Sequence, residues 1–172
     1  EPAKPCLSFT ACADGCADGG HAELCYEASI FAFGAPDAGR DLQAVVQFAN
    51  LSCEGGDGRG FVRANRPADA LEKLPAQCEA GNAEACELLI PLQRERGDAA
   101  ADATATRARA LLEATCKQPE PFACARLGSA LIGGRFGKVE AKEGAAVLER
   151  ACEAGVAGAC IELALALTRG VP

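Results

Sequence analysis

Apolar residues recur along this chain at helical spacing. In the segment CARLGSAL from Cys124, Leu127 and Leu131 fall four residues apart, on one face of a helix that follows a cysteine. A second kind of helix precedes a cysteine. It is predicted over Ala108 to Thr115 and over Ala145 to Ala151, where Leu112 and Leu148 each lie four residues ahead of the next cysteine. Between these helices the chain turns polar and rich in breakers, as in GAPD from Gly34 and GGRFG from Gly133. The pattern predicts an all-α chain built from helix pairs.

The pairs repeat. Aligning the chain on its cysteines gives CADGGHAELC from Cys16, CEGGDGRGF from Cys53, CEAGNAEAC from Cys78, CKQPEPFAC from Cys116 and CEAGVAGAC from Cys152, at intervals of 37, 25, 38 and 36 residues. A period in the mid-thirties is the length of one helix-turn-helix unit, and stacking such units lets each bury a face it could not bury alone. Units therefore start near residues 16, 53, 78, 116 and 152, after an N-terminal arm of residues 1–15. The second unit is short and carries Phe61 where its second cysteine belongs, so its first helix is expected to be short or absent.

The cysteine pairs need a chain reversal between them. On one straight helix, Cys78 and Cys86 would lie about 12 Å apart, beyond the roughly 7 Å limit of a disulfide. Gly81 and Gly155, three residues after a first cysteine, can take the left-handed backbone that ends a helix, and Pro119 and Pro121 block continuation in the fourth unit. Disulfides are expected for Cys16 with Cys25, Cys78 with Cys86, Cys116 with Cys124, and Cys152 with Cys160. Closing each of these short loops stabilises by about 2 to 3 kcal/mol. Zinc would instead need cysteine or histidine sets converging on one point, whereas these pairs are spread along the repeat.

Composition narrows the class. The 172 residues are 49% hydrophobic and 24% charged, the balance of a folded domain, and with no Trp or Met and one Tyr the core must be built mainly from Ala and Leu. No stretch reaches the roughly 18 to 20 apolar residues that span a bilayer. No charged-then-apolar leader precedes Glu1, so an export signal is expected to have been removed already. A net charge of -7 with scattered basic residues argues against nucleic acid as a partner. Eleven cysteines point to an oxidising compartment.

The motifs CEAGNAEAC and CEAGVAGAC, with LGSALIGG from Leu127 and LALALTRG from Leu163, resemble Sel1-like repeats of the cysteine-rich bacterial secreted type, over residues 16–172. The resemblance implies a right-handed α/α superhelical solenoid, export to the periplasm or medium of a bacterial cell, and a concave face lined by first helices that takes a protein or peptide. On that face Glu27, Glu87, Gln93, Arg126 and Glu162 are the expected contacts. Some relatives of this type are associated with binding or hydrolysing β-lactams, which makes a cell-wall-related hydrolase or binding protein the competing class.

The local chemistry favours a non-enzymatic reading without a cofactor. No serine begins a Ser-x-x-Lys motif, there is no Gly-x-Ser-x-Gly elbow, and a single histidine, His21, is available as a base. His21 with Cys12, Cys16 and Cys25 makes a four-ligand set for zinc or copper, at the expense of the first staple. Cys6, Cys12 and Cys53 are left over; they supply an arm disulfide and a buried thiol, or an exposed thiol that links two chains. The GGRFGK run from Gly133 is one residue short of a phosphate loop and reads as a turn. In EGGDGRGFVRANRP, from Glu54 to Pro67, Arg59, Phe61 and Arg63 either belong to a degenerate, solvated repeat or are presented to a partner.

Overall fold

The computed structural model describes residues 9–17, 21–34, 42–63, 65–117 and 120–170. Among them are ten α-helices and no strand: α1 (Phe9–Ala17), α2 (Ala22–Gly34), α3 (Leu42–Glu54), α4 (Gly58–Arg63), α5 (Pro67–Glu79), α6 (Ala83–Glu95), α7 (Ala101–Cys116), α8 (Pro121–Ile132), α9 (Ala141–Glu153) and α10 (Ala157–Thr168). They form two compact units, Glu1–Glu79 and Ala80–Pro172.

In the first unit each helix packs on its sequence neighbours, α1 on α2 through to α4 on α5. The expected arm is not all arm. Residues 9–17 are helical, and α1 carries the fully buried Cys12 against the core. Tyr26, Ala28, Val45, Ala49, Phe61, Ala70 and Leu74 fill the interior. The first helix of the shortened repeat survives as the six-residue α4. It starts immediately beyond the end of α3, where the Asp57 N–H returns to the Ser52 carbonyl at 3.0 Å and the chain reverses. Asn65, at φ 56°, ends α4 in the left-handed conformation that asparagine tolerates better than most residues.

In the second unit α6 packs on α7, α7 on α8, α8 on α9 and α9 on α10, and α10 also reaches back to α8. Its core joins Leu112 of α7, Leu127 and Leu131 of α8, Val147, Leu148 and Ala151 of α9, and Val156 and Ala159 at the start of α10. Side chains this small bring backbones close. A Cβ on Gly128 would lie 2.9 Å from the Gly144 carbonyl oxygen, and one on Gly144 would lie 2.8 Å from that of Gly128, so α8 and α9 cross where neither chain has a side chain.

The staples sit at the chain reversals. Gly155 takes φ 93°, its N–H bonds to the Cys152 carbonyl at 2.9 Å and the Val156 N–H to the Ala151 carbonyl at 3.0 Å, which closes α9 and turns the chain into α10. This brings the Cα atoms of Cys152 and Cys160 to 4.7 Å, where they are bonded. Cys116 and Cys124 are bonded with Cα atoms 4.6 Å apart, and Pro121 opens α8 at its first turn; Pro119 lies outside the described residues. Cys16 and Cys25 are bonded at 4.8 Å. Cys12, Cys78 and Cys86 are also disulfide-bonded, whereas Cys53 is a buried free thiol and Cys6 lies outside the described residues. Burial pushes the Cys53 thiol above its ordinary pKa, so it stays protonated and unreactive at neutral pH.

Candidate peptide-binding trough

Two cavities open on the first helices of the second unit. The larger, of about 600 Å³, is lined by Glu84, Glu87, Leu88, Ile90, Pro91 and Arg94 of α6, Arg126 of α8 and Arg135 of the turn after α8. The smaller, of about 270 Å³, is lined by residues of α8, α9 and α10, with Ser129, Arg135, Glu162, Leu165 and Arg169 around its wall. Arg135 lines both, so the two are adjoining lobes of a trough with an arginine at their junction. The larger lobe has the volume usual for a ligand site.

The larger lobe is organised around a buried carboxylate. The Glu87 side chain, only 4% exposed, accepts from Arg126 Nε at 2.9 Å and from Arg126 Nη2 on one oxygen, and from Arg135 Nη1 at 3.1 Å on the other. The arginines themselves face outward, with side chains 39% and 55% exposed. Arg94 donates from Nη1 to the Arg135 carbonyl at 2.9 Å, which ties the turn to α6. The turn is fixed from α8 as well, through the Arg135 N–H to the Ala130 carbonyl at 3.0 Å. An apolar floor of Leu88, Ile90 and Pro91 runs beside these charges, and Pro91, lacking an N–H, gives the Glu87 carbonyl no helical donor.

In the smaller lobe the Ser129 hydroxyl lies within bonding reach of the Glu162 carboxylate and 3.0 Å from the Ala125 carbonyl. One hydroxyl proton serves one acceptor at a time, and neither histidine nor lysine is among the residues lining either lobe. The pair is thus a serine and a carboxylate with neither histidine nor lysine beside them.

Of the residues expected from the sequence, Glu87 and Arg126 line the larger lobe and Glu162 the smaller. Gln93 is a correction: it is buried within α6, its Oε1 has no hydrogen-bond partner, and it lines neither lobe. Glu27 lies on α2 of the first unit. Arg59 and Phe61, expected to be presented to a partner, are corrections too. Arg59 is buried because it neutralises the buried Asp57, with Nη2 2.7 Å from Oδ2, and stacks 4.4 Å from the Tyr26 ring centroid. Phe61 is buried in the same unit, under the Arg66 guanidinium 5.0 Å from its ring centroid. Arg63 ends α4, and its side chain lies outside the described residues. The His21 ligand set is unavailable as thiolates, since Cys12, Cys16 and Cys25 are all disulfide-bonded.

Sequence reasoning missed Arg94, Arg135, Leu88 and Pro91. The available signal was an arginine inside the glycine-rich turn that follows a first helix, together with a glutamate set between Cys86 and Leu88 on a face otherwise apolar.

No family model and no curated protein matches the chain. Among solved structures, the chain is similar to a protective antigen present in uropathogenic Escherichia coli strains, itself displaying an SLR fold, at 16% identity and a TM-score of 0.44. The likeness covers 95% of this chain and 37% of that one, so the chain spans a little over a third of that protein's length. No helix among the described residues is long and apolar enough to cross a membrane.

Proposed function

We propose that the chain is an exported, non-catalytic binding module of the Sel1-like kind that takes a protein or peptide segment in the trough of its second unit. The observation that carries this reading is the trough itself: apolar floor, charged rim and walls fixed by hydrogen bonds, on the helices that follow each staple. A binding surface held this rigidly loses little conformational freedom on association. Export is supported by seven further cysteines engaged in disulfides beside the Cys152–Cys160 pair, a usage that cytosolic reductants would oppose.

The test is to select peptides from a displayed random library on the oxidised protein and to measure their affinities by fluorescence polarisation. Leu88→Asp and Leu165→Asp, one in each lobe, are expected to weaken binding at least tenfold. Arg109→Ala, on an ion-pair cluster outside the trough, is expected to leave it unchanged. Selected peptides whose affinity ignores both trough variants would overturn the assignment.

A further inference from the structure

The trough carries more positive charge than the molecule around it. Arg94, Arg126, Arg135 and Arg169 line it against Glu84, Glu87 and Glu162, an excess of one positive charge in a chain whose net charge is -7. Glu87 is already committed, buried beneath two arginines, and cannot turn outward to meet a cation without leaving both. Arg135 gives Glu87 a single donor from Nη1. A guanidinium carries five N–H donors in a planar fork, so the exposed edge of Arg135 is able to grip a carboxylate with two parallel bonds.

The position of that arginine restricts the ligand further. Arg135 stands where the two lobes meet, with Leu88, Ile90 and Pro91 on one side and Ile132 and Leu165 on the other. A carboxylate held there belongs to the middle of a segment that continues into both lobes. A chain terminus would leave one lobe unfilled.

Resting on the trough as the binding site, we propose that its occupant is an extended peptide segment with an aspartate or glutamate side chain flanked on both sides by apolar residues, the acid pairing with Arg135. Glu87 is the counter-charge that holds Arg126 and Arg135 in place before the ligand arrives. This preorganisation favours an acidic ligand and disfavours a basic one, which would meet Arg94, Arg126 and Arg135 together.

The experiment is an immobilised octapeptide array probed with the oxidised protein. The central residue is aspartate, asparagine or lysine, the flanking positions run through apolar residues, and a parallel set ends at the acid with a free or amidated terminus. Aspartate-centred peptides are expected to bind roughly tenfold tighter than their asparagine counterparts, as a charge-assisted bond requires. Arg135→Ala should abolish that preference, and Arg135→Glu should shift it toward lysine, with circular dichroism establishing that both variants stay folded.

Binding that depends on Leu88 and Leu165 but ignores the central charge would overturn this inference and leave the trough standing. A preference for the terminal carboxylate would overturn the internal placement of the acid. An array with no binding at all would overturn the trough together with its ligand.

Discussion

Each unit buries one carboxylate against arginine, and the two sites end differently. In the first unit Asp57, 1% exposed, holds an arginine that is itself only 8% exposed. Arg59 contacts both carboxylate oxygens, its own N–H donates to Oδ1 at 3.0 Å, and Gln77 adds a donor at 3.2 Å. The Tyr26 ring lies against the guanidinium, its centroid 4.4 Å away. In the second unit Glu87 is almost as deeply buried, but its arginines reach it from the rim and keep their outer edges in the trough. The same chemistry closes a core in one place and equips a surface in the other. What differs is how far the arginine is buried with its partner: Arg59 and Arg126 use the same two nitrogens, Nε and Nη2, but only Arg126 and Arg135 keep a large part of the side chain in solvent.

The sharpest way to break the comparison is Asp57→Ala. It strands Arg59 in the interior, and loss of one partner of a buried pair is expected to cost about 3 to 5 kcal/mol in urea unfolding of the oxidised protein. Cys53, whose thiol titration feels Asp57, should then alkylate faster under native conditions. An Asp57→Ala protein as stable as the parent would mean that Arg59 escapes to solvent.

Replacing Cys116 and Cys124 together by serine tests whether the second unit depends on its staple as the first depends on its ion pair. The expected loss is about 2 to 3 kcal/mol for a loop this short, read by thermal or urea unfolding. Glu87→Gln removes the charge beneath the two rim arginines. Because those arginines are substantially exposed, solvent screens the loss, and stability should fall by only on the order of 1 kcal/mol. Peptide binding should change more than stability does, since Arg126 and Arg135 are no longer held in place.

The smallest effect belongs to the partly exposed cluster of Arg109 with Glu113, Glu140 and Glu143, at 2.6, 2.7 and 3.3 Å. The Arg109 hydrogen bond holds the Glu140 carboxyl below its usual range. A carboxylate with a lowered pKa in the folded state contributes stability that is full above its unfolded pKa and fades as pH falls through the folded one. Glu140→Gln should therefore lower stability slightly at neutral pH and flatten the acid limb, the variant and the parent converging once pH falls below the folded-state pKa.

The helices and turns of the second unit were legible because their signals are local. Leu112, Leu127, Leu131 and Leu148 announce their faces by spacing alone, and Gly155 announces the turn between Cys152 and Cys160. The trough was legible only in part. Glu87, Arg126 and Glu162 could be placed on first helices, and Glu87 and Gln93, six residues apart, lie about 120° apart round their helix, but only the neighbouring helices decided that the Glu87 direction faces the larger lobe while Gln93 is buried. Arg59 and Phe61 read as exposed because a Gly-rich, Arg-rich segment has the composition of a solvated loop. The missing information was Tyr26 and Gln77, distant in sequence, which complete the pocket that takes the Asp57–Arg59 pair.

By itself the sequence determined an all-helical chain, the repeat with its shortened member after Cys53, and where the backbone reverses, since each depends on residues within a few positions of one another. Tertiary structure alone decided which charges became core and which became surface. It brought Arg135 from a turn and Arg126 from α8 onto a carboxylate 48 and 39 residues away, and it left the junction of two cavities beside them. Burial and charge pairing are properties of the neighbours that folding supplies, and spacing along one helix carries no record of them.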